Sequence, residues 1–435
     1  MTRFEPIATL DEVERYLLAE LPSSSATVVS GGVGRRRAAI LLSLLGNPQN
    51  GIRTVHIAGT AGKGSVSTFV TAVLRAHGFR VGTYLSPHVH SLLERFQLDG
   101  AHAPVRDVAA ALNAVRHKEI ELSRGPLGAV TMFEAATAAA FQLFRDRGVD
   151  YAVIETGLGG WHDATNTVTR QDKLAVLTAI GLDHTELLGA TLPEIARQKA
   201  GILPQDGSAI ALRCGPAIDE IVAAEALHRG CRLDAPHPDD LAATLPDLGL
   251  GLPGRHQRIN AGLAIRAAQH LADRDGWRLD PDRAAGGLRE ARLPGRFERR
   301  RWRGHPLVLD GAHNPMKLAA LAEAVQQEWP RRAPVWVLTI KSGKDLPAIM
   351  DMVAPAAAMV VATEFGTVGT NHKPLPAEEI AAAARRAGVR VATEPRLAEA
   401  LGWAVELSEP DVPVIVTGSF HAVADAGMIA APVNA

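Results

Sequence analysis

Between Thr54 and Gly230, short apolar runs rich in β-branched residues alternate with longer stretches whose apolar positions recur at helical spacing. TVHIA precedes VSTFVTAVLRAHG, AATAAAFQLFRDRG precedes YAVIET, LAVLTAIG precedes LPEIARQKAGI, and SAIALR precedes IDEIVAAEALHRG, with RVGTYLS as a further strand-like run. Strands joined through amphipathic helices of about 10–15 residues must lie parallel, because the helix carries the chain back to the start of the next strand. The pattern therefore dictates an α/β fold with a parallel-rich sheet. Near residue 232 the alternation dissolves into the Pro/Gly-rich APHPDDLAATLPDLGLGLPGRHQ, followed by a helical stretch, RINAGLAIRAAQHLAD, and a basic segment, RLPGRFERRRWRG. From PLVLDGAHN a second alternation begins: PVWVLTI, MVVAT, VRVAT and VPVIVTG as strands, EEIAAAARRAG and LAEALGWAVELS as helices. Two domains are expected, residues 1–293 and 294–435, with the boundary near Pro294.

Composition removes several classes of function. The 435 residues are 47% hydrophobic and 21% charged with a formal net charge of −1, so no global field favours nucleic acid or an anionic membrane surface. No stretch reaches the roughly 18 apolar residues of a membrane span; the best, residues 129–144, holds Glu134 at its centre. MTRFEPIATLDEVERYLLAELP lacks the basic start and unbroken apolar core of a signal peptide. The two cysteines, Cys214 and Cys231, read as reduced thiols rather than a disulfide framework. A cytoplasmic location is expected.

Between the first strand and its helix lies Gly59-Thr60-Ala61-Gly62-Lys63-Gly64-Ser65. Glycines let backbone N–H groups approach an anion, the helix N-terminus adds partial positive charge, and a lysine adds a point charge. The strict phosphate-loop pattern GxxxxGK[ST] is broken twice: Ile57 stands at the first glycine, and Gly64 separates Lys63 from Ser65. A phosphate loop and a plain strand–helix turn are both compatible with these residues alone. Glu155 ends the strand YAVIET, where open parallel sheets place their ligands, and is a candidate for holding Mg²⁺ near phosphate.

Further motifs follow in order: TYLSPHVHSLLERFQLDG, TMFEAAT, VIETGLGGWHDATNTV, LTAIGLDHTELLGATLPEIARQKAGI, GRHQRIN, LPGRFE and LDGAHNP. In this order and spacing the chain resembles the folylpolyglutamate synthase/dihydrofolate synthase family of the Mur ligase superfamily, from about residue 30 to the C-terminus. The resemblance implies a P-loop central ATPase domain followed by a smaller Rossmann-like domain that binds the amino acid. It also implies an ADP-forming ligase that couples L-glutamate to a pteroate- or folate-type carboxylate through an acyl phosphate, as a cytoplasmic monomer. The implied cofactors are ATP and Mg²⁺, with room for a monovalent cation such as K⁺.

Residue by residue, the resemblance assigns nucleotide binding to Gly59, Thr60, Gly62, Lys63, Gly64, Ser65, Asn260, Arg296 and Asp310, with Asn260 counted among the contributions of the second domain. Metal binding falls to Ser86, Glu155, His184 and Lys199, the last as a carboxylated lysine. Thr131 and Phe133 border the pterin-type substrate, and His313 and Ser419 the amino acid and acyl phosphate. Lys63, Lys199 and His313 are the implied catalytic residues. Plainer roles are open from the bare sequence. Ser86 also suits a turn before Pro87, His184 a helix start, Lys199 an exposed helical lysine and Arg296 a solvated basic linker. SGGVGRRRAAILLSLLGNPQ matches the family's N-terminal substrate segment, and its run Arg35-Arg36-Arg37 suits either an anion or a solvated face.

Three departures from the family pattern bear on specificity. Ala61 replaces an asparagine in the loop, Trp161 and His162 replace an arginine and an aliphatic residue, and Gln198 replaces a glutamate beside Lys199. TGSFHAVADAG keeps the strand-end Gly-Ser and departs afterwards, with His421 unusual there. A related ligase that couples an amino acid to a different carboxylate keeps every motif. A P-loop switch module leaves DGAHN and HQRIN without a purpose, and a P-loop kinase, which passes phosphate to a stable product, does not need the second α/β domain.

Overall fold

The computed structural model describes residues 5–23, 32–245, 248–366 and 373–432. The chain divides into two compact units, one of residues 1–251 with 258–291, the other of residues 252–257 with 292–435. Ser30 and Gly31 of the N-terminal substrate segment lie outside the described residues.

The first unit is built on an eight-stranded sheet. Its strands are β1 (Arg53–Ala58), β2 (Val81–Tyr84), β3 (Phe96–Leu98), β4 (Ala101–His102), β5 (Tyr151–Glu155), β6 (Leu174–Leu177), β7 (Ser208–Ala211) and β8 (Arg232–Asp234), in the order β4-β3-β2-β5-β1-β6-β7-β8. From β2 to β8 through β5, β1, β6 and β7 every pairing is parallel. Strands β2, β5 and β6 are buried along their whole length. That explains their near-continuous apolar sequences, since helices and loops cover both faces of such a sheet. The edge beyond β2 differs from the expected crossover pattern: β3 and β4 pair antiparallel. They are only three and two residues long, too short to register as periodic segments.

The first strand in sequence lies between β5 and β6: the chain leaves it toward β2 on one side, and later passes from β5 across it to β6 on the other. That is a topological switch point, and the crevice at its carboxyl end is where this architecture receives ligands.

The second unit carries a seven-stranded sheet of β9 (Glu298–Trp302), β10 (His305–Asp310), β11 (Val335–Leu338), β12 (Met359–Glu364), β13 (Val391–Arg396), β14 (Val414–Thr417) and β15 (Ala431–Pro432), ordered β13-β12-β11-β14-β10-β9-β15. Five strands are parallel, and β9 runs antiparallel to both β10 and β15. The basic segment ERRRW is thus a strand rather than a solvated linker. Arg299 and Arg301 face solvent, whereas Arg300 is half-buried and pairs with Glu298. Among the described residues, no helix is long and apolar enough to cross a membrane.

Candidate active site

The loop after β1 is held by its neighbours before any ligand is considered. Thr60 and Ala61 both donate their N–H to the Ala179 carbonyl, at 2.8 and 3.2 Å. Thr60 Oγ1 donates to the Gly181 carbonyl at 2.9 Å, and Thr178 Oγ1 donates to the Ala61 carbonyl at 2.7 Å. The donors left for an anion are those of the helix start, because Lys63–Ala76 is a 14-residue helix whose first N–H groups have no carbonyl one turn earlier. Gly62 caps that helix with φ 91°, and a Cβ there would stand 2.5 Å from Asn260 Oδ1. Glycine is required on both counts. At Gly59 a Cβ would meet Thr178 Oγ1 at 1.9 Å.

Asn260 therefore belongs to the first unit, on the helix Arg255–Asp275 and against the loop, not to the second domain as expected from the resemblance. Gly64 and Ser65 lie in the first turn of the loop's own helix, buried beside Lys63.

Carboxylates and hydroxyls gather at the same strand ends. Glu155, at the tip of β5 and only 4% exposed, lies with Oε1 3.8 Å from Lys63 Nζ, while its Oε2 accepts the Ser86 N–H at 3.0 Å. The Ser86 hydroxyl oxygen is buried with no hydrogen-bond partner. Asp163 is buried, and burial raises its carboxyl pKa. The Leu158 N–H and Thr165 donors, with Lys63 nearby, act in the opposite direction. Asp163 thereby organises the whole turn from Leu158 to Thr165. The motif GLGGWHDATN gives Asp163 no role by itself; the signal for it is the capacity of an aspartate to accept N–H groups from its own turn.

Lys199 is not an exposed helical lysine. It is 4% exposed, near the end of helix Leu192–Ala200, and its ammonium donates to the Gly59 carbonyl at 2.9 Å. The turn carrying Gly160 and Trp161 packs on this helix end. The Trp161 N–H donates to the Gln198 carbonyl at 2.7 Å, and a Cβ at Gly160 would crowd the Gln198 and Lys199 carbonyls. Trp161 is 37% exposed, with the Arg229 guanidinium 5.0 Å from its ring centroid. His184 begins the four-residue helix Thr185–Leu188 in left-handed backbone (φ 52°), its imidazole 3.8 Å from the Glu186 carboxylate. Among the described residues, no three His, Cys, Asp or Glu side chains converge as a metal site, so any ion here needs hydroxyl, lysine-derived or water ligands as well.

Thr131 caps helix Met132–Asp146, and Phe133 packs its ring where a Cβ on Gly157 would be, 2.4 Å from Cζ. The same segment is pinned by a buried ion pair that the sequence reading missed. Arg37 makes two bonds of 2.8 Å to Glu134, and a third at 3.0 Å to the Leu127 carbonyl. Glu134 also accepts the Thr131 N–H at 3.0 Å. Of the run Arg35–Arg37, then, one member is a core ion-pair partner. Thr131 followed three residues later by Glu134 is a capping-box pattern and was the available signal.

In the second unit, Asp310, Arg296, His313 and Ser419 meet at the carboxyl ends of β10 and β14. Asp310 accepts the Phe297 and Ala312 N–H groups, each at 2.8 Å. Burial raises its pKa against the counter-effect of Arg296 and those bonds. His313 Nε2 lies 3.2 Å from the Lys317 ammonium, which can only donate; Nδ1, 2.8 Å from the Gly311 carbonyl, therefore carries the ring proton. Ser419 caps helix Phe420–Ile429, accepting the His421 N–H at 3.1 Å.

The family model for the glutamate ligase domain of Mur ligases matches residues 295–420. A dihydrofolate synthase/folylpolyglutamate synthase of Mycobacterium tuberculosis is 33% identical, covering 95% of this chain and 92% of its own length. Among solved structures, M. tuberculosis folylpolyglutamate synthase complexed with ADP and AMPPCP superposes with a TM-score of 0.83 at 32% identity, covering 97% of this chain and 98% of that one. The bifunctional folylpolyglutamate synthase/dihydrofolate synthase of Yersinia pestis, complexed with AMPPNP and Mn ion, gives 0.79 at 26% identity over 98% of both chains.

Proposed function

Because the chain belongs to the folylpolyglutamate synthase/dihydrofolate synthase family, we propose that it is an ATP-dependent ligase that joins L-glutamate to the carboxylate of a pteroate- or folate-type acid. It works in the cytoplasm as a monomer. The observation that carries the reading is the gathering of an anion-binding helix start, Lys63, Glu155, Ser86 and Lys199 at the carboxyl end of one switch point.

In the first step a carboxylate oxygen of the acid attacks the γ-phosphorus, the bond to the β-phosphate oxygen breaks, and ADP leaves. The glutamate amine, having lost one proton, then attacks the acyl carbon; the C–O bond to the phosphate breaks, and a second proton passes from the nitrogen to the departing phosphate as the amide forms. The helix-start N–H groups of Gly62, Lys63, Gly64 and Ser65 hold the nucleotide phosphates, and Gly59 and Thr60 shape the loop that brings them there. Lys63 exchanges Glu155 for the transferring group. Asn260 keeps Gly62 in register, and Arg296 and Asp310 contact the nucleotide.

A buried serine oxygen without a protein partner beside a carboxylate fits a hard divalent cation. Ser86, Glu155 and His184 are the residues that would hold Mg²⁺, with Lys199 joining them once carboxylated on Nζ; K⁺ is a further candidate. When bound, the ion neutralises charge on the phosphoryl oxygens. Thr131 and Phe133 border the acid, and neutral His313 with Ser419 orients the amino acid.

The test is ADP release measured with the acid and the amino acid varied separately. Stoichiometric ADP and amide that need both supports the reading. Hydrolysis indifferent to either acceptor favours a nucleotide switch, and turnover with a non-folate acid alone favours a related ligase of altered specificity. Trp161, half-exposed in the turn beside Lys199, is the departure to which such altered specificity would be traced.

A further inference from the structure

One large side chain at the carboxyl ends of β10 and β14 has no role in the reading above. The Arg296 guanidinium carbon lies 4.3 Å from the centroid of the Phe420 ring. The ring of His313 is 6.0 Å away, centroid to centroid, tilted at 65° in an edge-to-face arrangement. Gly311 lies against the same ring: a Cβ there would stand 2.1 Å from Phe420 Cε1. Gly311 is not in left-handed backbone, so the space taken by Phe420, not chain conformation, excludes a side chain at that position.

We propose that Phe420 is a positioning residue for the reaction, holding the Arg296 guanidinium on its π face and the His313 imidazole at its edge. The inference rests on the roles given above to Arg296 and His313. A guanidinium stacked on an aromatic plane keeps its N–H edges in that plane, where one of them donates to the Gly295 carbonyl at 3.1 Å, and that fixed orientation suits a group that must meet phosphate oxygens. The edge contact fixes the plane of a ring whose tautomer is already set by Lys317 and the Gly311 carbonyl. One ring thereby ties the separation of the two groups to the end of β14, where Ser419 anchors the helix that carries it.

The test uses Phe420→Leu, Phe420→Tyr, Gly311→Ala and the double variant Gly311→Ala/Phe420→Leu in the full chain. Affinity for ADP and AMPPNP with Mg²⁺ is read by calorimetry, KM values by ADP release, and stability by urea melts. Loss of one cation–π contact predicts a roughly three- to thirty-fold weaker nucleotide affinity in Phe420→Leu. KM for glutamate should rise with it, KM for the acid should hold, and Phe420→Tyr should match the wild type. Gly311→Ala should imitate Phe420→Leu by pushing the ring aside, and the double variant should lose less than the sum, because the smaller side chain makes room for the methyl group.

Additive losses, or parallel decline of all three substrates with stability, would mean a packing role only and overturn the proposal. Unchanged nucleotide affinity in Phe420→Leu would do the same. Should the wild type bind nucleotide yet transfer no glutamate, the ligase reading fails while the calorimetric comparison still decides whether Phe420 positions Arg296.

Discussion

Lys63 and Glu155 are 3.8 Å apart at the mouth of the loop, close enough for each to hold the other's charge before substrates arrive. Removing either at a site where phosphoryl charge develops costs about 10²–10³-fold in kcat. Lys63→Ala and Glu155→Ala should each show that loss in steady-state ADP release, and near-native turnover in either would remove it from the mechanism.

Lys173 presents a different problem at the same scale. It is buried, its Nζ 3.4 Å from Asn166 Oδ1, and burial with the nearby Arg229 and Arg35 charges lowers its pKa to about 7. Unfolded lysine holds its proton up to about pH 10. Between roughly pH 7 and 10 the unfolded chain therefore binds one more proton than the folded one, and this residue makes stability rise with pH across that window. Below about pH 7 both states are protonated and the penalty stays constant. Lys173→Met should flatten the difference in urea stability between pH 7 and 9 and stabilise the protein at pH 7. An unchanged slope would show that the amine is not the titrating group.

Among the elements, the helix Met132–Asp146 shows how a buried charge pair sets the position of the helix start that carries Thr131 and Phe133. Arg37 and Glu134 have side chains 5% and 2% exposed. Breaking such a pair from one side leaves a buried charge uncompensated, at about 3–5 kcal/mol. Glu134→Gln or Arg37→Met should therefore lower the urea midpoint, whereas replacing both by leucine should recover much of the stability. If the pair serves to place Thr131 and Phe133, the double variant should still show a raised KM for the acid. A double variant as active as the wild type would reduce the pair to a packing device.

The central parallel strands of both sheets were legible because their cores are apolar runs, TVHIA and VPVIVTG among them. ERRRW was read only as a basic stretch because four consecutive charged residues hide the alternation of a strand: Arg300 pairs with Glu298 on the half-buried face while Arg299 and Arg301 face solvent. The burial of Lys199 and the placing of Asn260 against Gly62 were also out of reach. Both depend on contacts between segments far apart in sequence, 140 residues in the case of Lys199 and Gly59.

At the scale of the whole molecule, each unit gathers polar side chains at the carboxyl ends of its own parallel strands. Glu155 and the phosphate loop do so in the first, Asp310 and Ser419 in the second. Motif order placed these residues at strand ends and helix starts, and the structure has them there. What the motifs leave open is the acid, since Trp161 and His162 alter the turn beside Lys199.

The central claim, that the γ-phosphoryl group passes to a carboxylate, is tested most directly with an acid whose carboxylate carries ¹⁸O in both oxygens. Transfer through an acyl phosphate predicts one ¹⁸O in the released phosphate and one retained in the amide, read by mass spectrometry. Phosphate free of ¹⁸O would contradict the account.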